Sequence, residues 1–183
     1  MNTYADNLSV TKYTRSARWL HWLVFAFVLL AYLFINLRGA YDRGSAEQLL
    51  MMQWHKLTGV IAFLLVLPRL LHRWRNQPPV IVPAIAPWEA MLSKITHFAL
   101  YAFLVVQPLL GLFTSFAGGR GVGIPGTALQ IPSPMTANKA LAEQLGNIHG
   151  WIGNAFYFVI GLHIAAALWH HFFRHDNTLK RML

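Results

Sequence analysis

Apolar positions along the chain gather into four long runs, near residues 19–37, 54–72, 95–117 and 148–172, with polar stretches between them. Each run approaches or exceeds the roughly 20 residues a helix needs to cross the hydrocarbon core of a bilayer. A lone segment in lipid must satisfy its own backbone hydrogen bonds, so each run predicts a transmembrane α-helix. The second run carries Pro68 and Arg69 near its end, where an arginine can extend its charge toward the headgroups. The predicted fold class is all-α, an integral membrane four-helix bundle in which residues 1–183 form one membrane domain. Residues 1–18 are polar and end in KYTRSAR, which imitates a signal peptide. The apolar run then continues from Trp19 to Leu37 without a small-residue cleavage site, so an uncleaved first span is expected.

The connectors predict a short turn around GAYDRGSAEQ, a proline-rich loop NQPPVIVPAIAPW, and a longer loop over 118–147. Within the last, TANKALAEQLGN (136–147) reads as a separate surface helix. Composition agrees with a membrane protein: 56% of residues are hydrophobic, 11% are charged, and the mean hydropathy is +0.42. The absence of cysteine excludes disulfides, Cys-ligated iron-sulfur clusters, thiol catalysis and covalently attached c-type haem.

Charge adds direction. Four crossings put both termini on one side, with ten basic residues: Lys12, Arg15, Arg18, Arg69, Arg73, Arg75, Lys94, Arg174, Lys180 and Arg181. The other side has five, Arg38, Arg43, Lys56, Arg120 and Lys139. The asymmetry predicts cytoplasmic termini. The net charge of +9 is therefore orientation information, and nucleic acid is not an expected partner. Tryptophans 19, 22, 54, 88, 151 and 169 fall near span ends, as interfacial anchors do.

The candidate chemistry lies in histidines. His21, His55, His97, His149 and His163 fall inside or at the mouth of a span, where ionisable groups are expensive and need partners. From His149 to His163 a helix rises about 21 Å and turns about 1400°, close to four full turns, so both rings point to nearly the same face at different depths. One metal centre cannot take both, whereas two stacked centres can. His55, at the outer start of the second span, is the expected partner of His149. His21, early in the first, is the expected partner of His163, although its depth matches poorly.

Facing imidazoles across a bundle are the expected axial ligands of b-type haem, so four ligands predict two haem b groups, one above the other. The second nitrogen of each ligand should donate a hydrogen bond. Gly59 and Gly153, each four residues after a ligand, are expected to leave room for the macrocycle. The plainer alternative is that the histidines only join helices and the glycines only let them approach. His97 has no assigned partner and reads as structural or interfacial, with a propionate or quinone contact next in line. His72, His170, His171 and His175 read as interfacial, Lys56 as a snorkelling lysine, and Gln107-Pro108 as a helix irregularity. The loop GGRGVGIPG lacks the ending of a phosphate loop, and no HExxH motif occurs. The six acidic residues all fall outside the apolar runs, which disfavours a transporter built on an intramembrane carboxylate.

Over nearly its whole length the sequence resembles the bacterial cytochrome b561 family. The resemblance is carried by RWLHWLVF, NLRG, WHKLTGV, PPVIVP, HFALYAFLVVQPLLG and the ending NIHGWIGNAFYFVIGLHIAAALWHHFFRHDNTLKRML. It implies the same pairing, His21 with His163 and His55 with His149, as axial ligands of the haem irons. It also implies a multi-pass protein of the cell inner membrane that oxidises superoxide to oxygen at the outer face and passes electrons to ubiquinone. On that reading the partners are ubiquinone, superoxide and membrane lipid. The rival within the family is an electron-transfer subunit with a protein electron donor, and the rival outside it is a non-redox membrane protein. The long outer loop and the longer N-terminal segment depart from the family pattern, and loops are where a different donor would be recognised.

Overall fold

The computed structural model describes residues 12–183, so the reading of the first eleven positions lies outside the described residues. Four long helices account for most of it: α1 (Arg15–Leu37), α2 (Ala46–Arg75), α3 (Pro87–Ala117) and α4 (Lys139–Phe172). A 3-10 turn at Arg38–Ala40 follows α1. A two-stranded antiparallel hairpin, β1 (Val122–Gly123) and β2 (Gln130–Ile131), lies between α3 and α4, with Val122 opposite Ile131.

Three of the four predicted span ends, at residues 37, 117 and 172, coincide with helix ends, but every helix starts earlier than its apolar run. The reason is capping. Thr14 Oγ1 accepts from Ala17 N at 3.3 Å, Ser45 Oγ from Gln48 N at 3.1 Å, and Asn138 Oδ1 from Leu141 N at 3.0 Å. For α3, Pro87 occupies the first turn and Glu89 Oε2 accepts from Ala86 N at 2.7 Å. Hydropathy marks where lipid begins, whereas these caps mark where the helix begins. The expected surface helix at 136–147 is thereby corrected. No proline or special turn interrupts the backbone there, and from Lys139 those residues form the first turns of α4 itself. With 34 residues, α4 is about 51 Å long, more than the roughly 40–45 Å of a whole bilayer, so its ends project.

α1 packs along α2 and α3 along α4, with α2 and α3 joining the two halves. Across the remaining seam, Tyr32 Oη donates to Gly153 O at 2.7 Å and Asn36 Nδ2 donates to Tyr157 Oη at 2.6 Å. The Tyr32 and Tyr157 ring centroids are 4.4 Å apart. Few side chains are buried within the described residues, among them Val24, Ala62, Val66, Phe103 and Phe116. Large apolar groups such as Trp19, Leu64, Phe98, Phe158 and Leu162 face outward, an arrangement that suits lipid and would be a liability in water.

The histidines at the end of α4 read as interfacial, and the C-terminal residues that follow them fold back against the bundle. His175 takes a left-handed conformation (φ 53°) and ends α4, while Asp176 N donates to His170 O at 3.2 Å. Asp176, Asn177 and Arg181 are then buried. Asn177 Oδ1 accepts from Val82 N at 2.9 Å, Asn177 Nδ2 donates to Val80 O at 3.2 Å, and Arg181 donates to Pro79 O. Trp22 Nε1 donates to Met182 O at 3.0 Å and Arg18 to Leu183 O. The tail thus fastens the α2–α3 loop to the start of α1. His170 is not simply interfacial: its Nδ1 lies 2.5 Å from Asp176 Oδ2. Burial pushes the Asp176 carboxyl up, but the hydrogen bonds to His170 and Thr178 outweigh it and hold the group below its ordinary value.

Candidate metal centres

The histidines chosen by helix register stand opposite one another. The His55 and His149 ring centroids are 6.0 Å apart with planes at 80°, and those of His21 and His163 are 6.5 Å apart at 61°. A metal–imidazole bond is about 2.0 Å and a ring nitrogen lies about 1.1 Å from its centroid, so two imidazoles on opposite sides of one metal have centroids about 6.2 Å apart. Both pairs fit that spacing. Among the described residues no group of three or more histidine or acidic side chains is arranged to hold a metal. A Cβ added at Gly59, one turn beyond His55, would meet nothing within 4 Å.

His55 lies nine residues inside α2 and His149 ten inside α4, so this pair sits about 14–15 Å from those helix starts. The poor depth match of His21 is resolved. α1 begins at Arg15, and the folded-back tail covers its first turns.

All four helices build the outer pair. His55 Nδ1 donates to Ala31 O on α1 at 2.8 Å, and His149 Nδ1 donates to Gln107 O on α3 at 3.0 Å. A carbonyl has a second lone pair to accept such a bond, and the donation leaves Nε2 of each ring as the unprotonated nitrogen. The Gln107 side chain returns the contact, with Nε2 donating to His149 O at 2.7 Å. Gln107 is therefore the clasp between α3 and α4 and more than a helix irregularity. Its signal in the sequence was a lone amide deep in an apolar run. Gly111, one turn further, was also missed: a Cβ there would lie 2.9 Å from His149 Cε1. Gly153 is corrected in turn, because its missing Cβ makes room for Gln107 Nε2, 3.0 Å from the position a Cβ would take.

The inner pair is held differently. Among the described residues His21 Nδ1 is buried without a partner. His97, which the sequence left unassigned, lies with its centroid 5.4 Å from that of His163. Lys56 does not snorkel: its Nζ donates to Ser115 Oγ at 2.8 Å, and Ser115 Oγ donates to Arg120 O at 2.8 Å.

Facing imidazoles at two depths in a multi-pass helical bundle make an architecture suited to membrane electron transfer. The chain matches the family described as prokaryotic cytochrome b561 over residues 12–183. It is 32% identical over 174 residues to Cytochrome b561 homolog 1 of Escherichia coli strain K12, covering 95% of this chain and 98% of that one. It is 35% identical over 164 residues to Probable superoxide oxidase CybB of Yersinia pestis, covering 90% and 91%. Cytochrome b561 homolog 2 of E. coli K12 is 30% identical over 129 residues, 70% of this chain and 68% of that one. The chain belongs to the prokaryotic cytochrome b561 family, and is a multi-pass inner-membrane protein with a redox role of that family's kind.

Proposed function

We propose that the chain is a diheme b-type cytochrome that oxidises superoxide at the outer face and reduces ubiquinone in the membrane. His55 with His149 would hold the outer haem iron and His21 with His163 the inner one. The observation that carries this reading is the spacing of the two ring pairs, each close to that of imidazoles sharing one iron. Bound there, six-coordinate haems would supply one-electron carriers at two depths. The reaction balances as two superoxide, one ubiquinone and two protons giving two oxygen and one ubiquinol. Taking one electron from superoxide needs no acid or base, only encounter and an acceptor.

The protein's own part is to admit the anion and fix the ligands. A cavity of about 440 Å³ opens where α1 meets α2, lined by Ile35, Arg38, Gly39, Arg43 and Gln48. Arg38 and Arg43 both line it, so positive charge stands at this entrance. Such charge raises the encounter rate of a small anion. The relative named as a probable superoxide oxidase supports the same donor. The basic-residue asymmetry places both termini in the cytoplasm and this cavity outside it. The Lys56–Ser115–Arg120 chain ties the start of the outer hairpin to α2 beside His55.

The test is coupling. Purified protein given a superoxide source and a ubiquinone analogue should form one quinol for every two superoxide consumed. Superoxide loss without quinol, or reduction only by a soluble dehydrogenase, would reject the assignment.

A further inference from the structure

A metal-bound imidazole normally donates its second N–H to an acceptor that fixes its tautomer and orientation and raises its basicity. His55 and His149 have backbone carbonyls for this purpose. His163 has no such carbonyl among the described residues; its ring neighbours are His21 and His97.

We infer that His97 is the positioning partner of His163, the acceptor toward which His163 directs its non-ligating N–H; this rests on the proposal that His163 binds the inner haem iron. His97 Nδ1 lies 2.6 Å from Ser93 O, one turn back on α3. A carbonyl can only accept, so Nδ1 carries the proton and Nε2 of the neutral ring is left as an acceptor. The two rings touch with centroids 5.4 Å apart and planes at 82°. Imidazoles joined by an N–H···N bond of about 2.9 Å have centroids about 5.1 Å apart, close to the spacing of these two rings. An imidazole in an apolar span is costly without a partner, and this arrangement gives both rings one. The inner ligand would then be tuned by a side chain where the outer ligands are tuned by backbone.

Redox titration with haem-binding measurements on the full-length purified chain tests this, comparing wild type, His97→Leu and His97→Gln, with the inner signal assigned by His163→Ala. His97→Leu should weaken inner-haem affinity 10–100-fold. It should also favour the reduced inner haem by up to tenfold, about 59 mV for a one-electron couple, because the less basic ligand stabilises ferric iron less. The outer haem should be unmoved, and His97→Gln, which keeps an acceptor, should recover most of both effects. Unchanged inner affinity and potential in His97→Leu, equal shifts at both haems, or a Gln variant no better than Leu would overturn the inference while leaving the diheme reading intact. Wild type without an inner haem would overturn both. Should His97→Leu fail to accumulate, His97→Phe keeps a ring without an acceptor and is read by the same outcomes.

Discussion

The outer and inner histidine pairs use the same side chains, fourteen residues apart on α4, yet the protein secures them by different means. The outer pair is fixed from within: two carbonyls, one glutamine and one glycine set the rings, and α1, α2, α3 and α4 all contribute. The inner pair has no carbonyl anchors of this kind among the described residues; His21 Nδ1 lacks a partner, and His97 stands beside His163. Its support comes from outside the spans, where the C-terminal tail binds the first turns of α1 and the inner loop. The comparison teaches that ligand spacing can be equal while preorganisation is not. Changes near Gln107 should register at one depth and changes in the tail at the other.

The largest effects should come from the ligands themselves. His149→Ala should cost the outer haem and His163→Ala the inner one, each variant retaining about half the haem of wild type in a stoichiometric assay. Loss of both from either substitution would erase the distinction between the pairs. Next is Gly111→Val, whose new Cβ would lie 2.9 Å from His149 Cε1. Overpacking of this kind costs about 1–3 kcal/mol. The outer haem's spectrum and affinity should change while the inner haem's stay fixed, and the reverse pattern would contradict the geometry.

These sensitivities were unevenly legible in the sequence. Hydrophobic runs located the four spans because lipid tolerates little else, and helical register brought His149 and His163 to one face. The anchors at Ala31 and Gln107 are backbone oxygens, which every residue carries, so no letter marks them. Lys56 and His170 misled for a related reason. Polar side chains next to an apolar run read as solvated, whereas each satisfies a specific buried or half-buried partner. Helix starts were late because caps, which are polar, lie outside the apolar window.

A smaller effect is expected from the tail. Asn177→Ala would leave Val82 N without its side-chain acceptor. A buried donor left unpaired costs about 1–3 kcal/mol. Hydrogen exchange should quicken at the α2–α3 loop and the start of α1, and the inner haem should be released at lower denaturant than the outer. Equal sensitivity of both haems would show that the tail does not distinguish them.

The smallest effect is pH dependence through Asp176. Its carboxyl is held below the ordinary value of 3.8, so its contribution is present above 3.8 and is lost as pH falls through the lower folded value. Proteolysis of the C-terminal tail should accelerate over that acid range, and Asp176→Asn should remove this component of the dependence. An unchanged acid profile in Asp176→Asn would remove the pairing with His170 from the account.

The central claim is that the four histidines hold two stacked b-type haems. Haem stoichiometry of the purified chain, produced with ample haem and read by absorption spectroscopy, addresses it most directly. The account predicts two low-spin b-type haems per chain, falling to one in His163→Ala. No haem in the wild type, a single haem, or two haems retained by His163→Ala would contradict it.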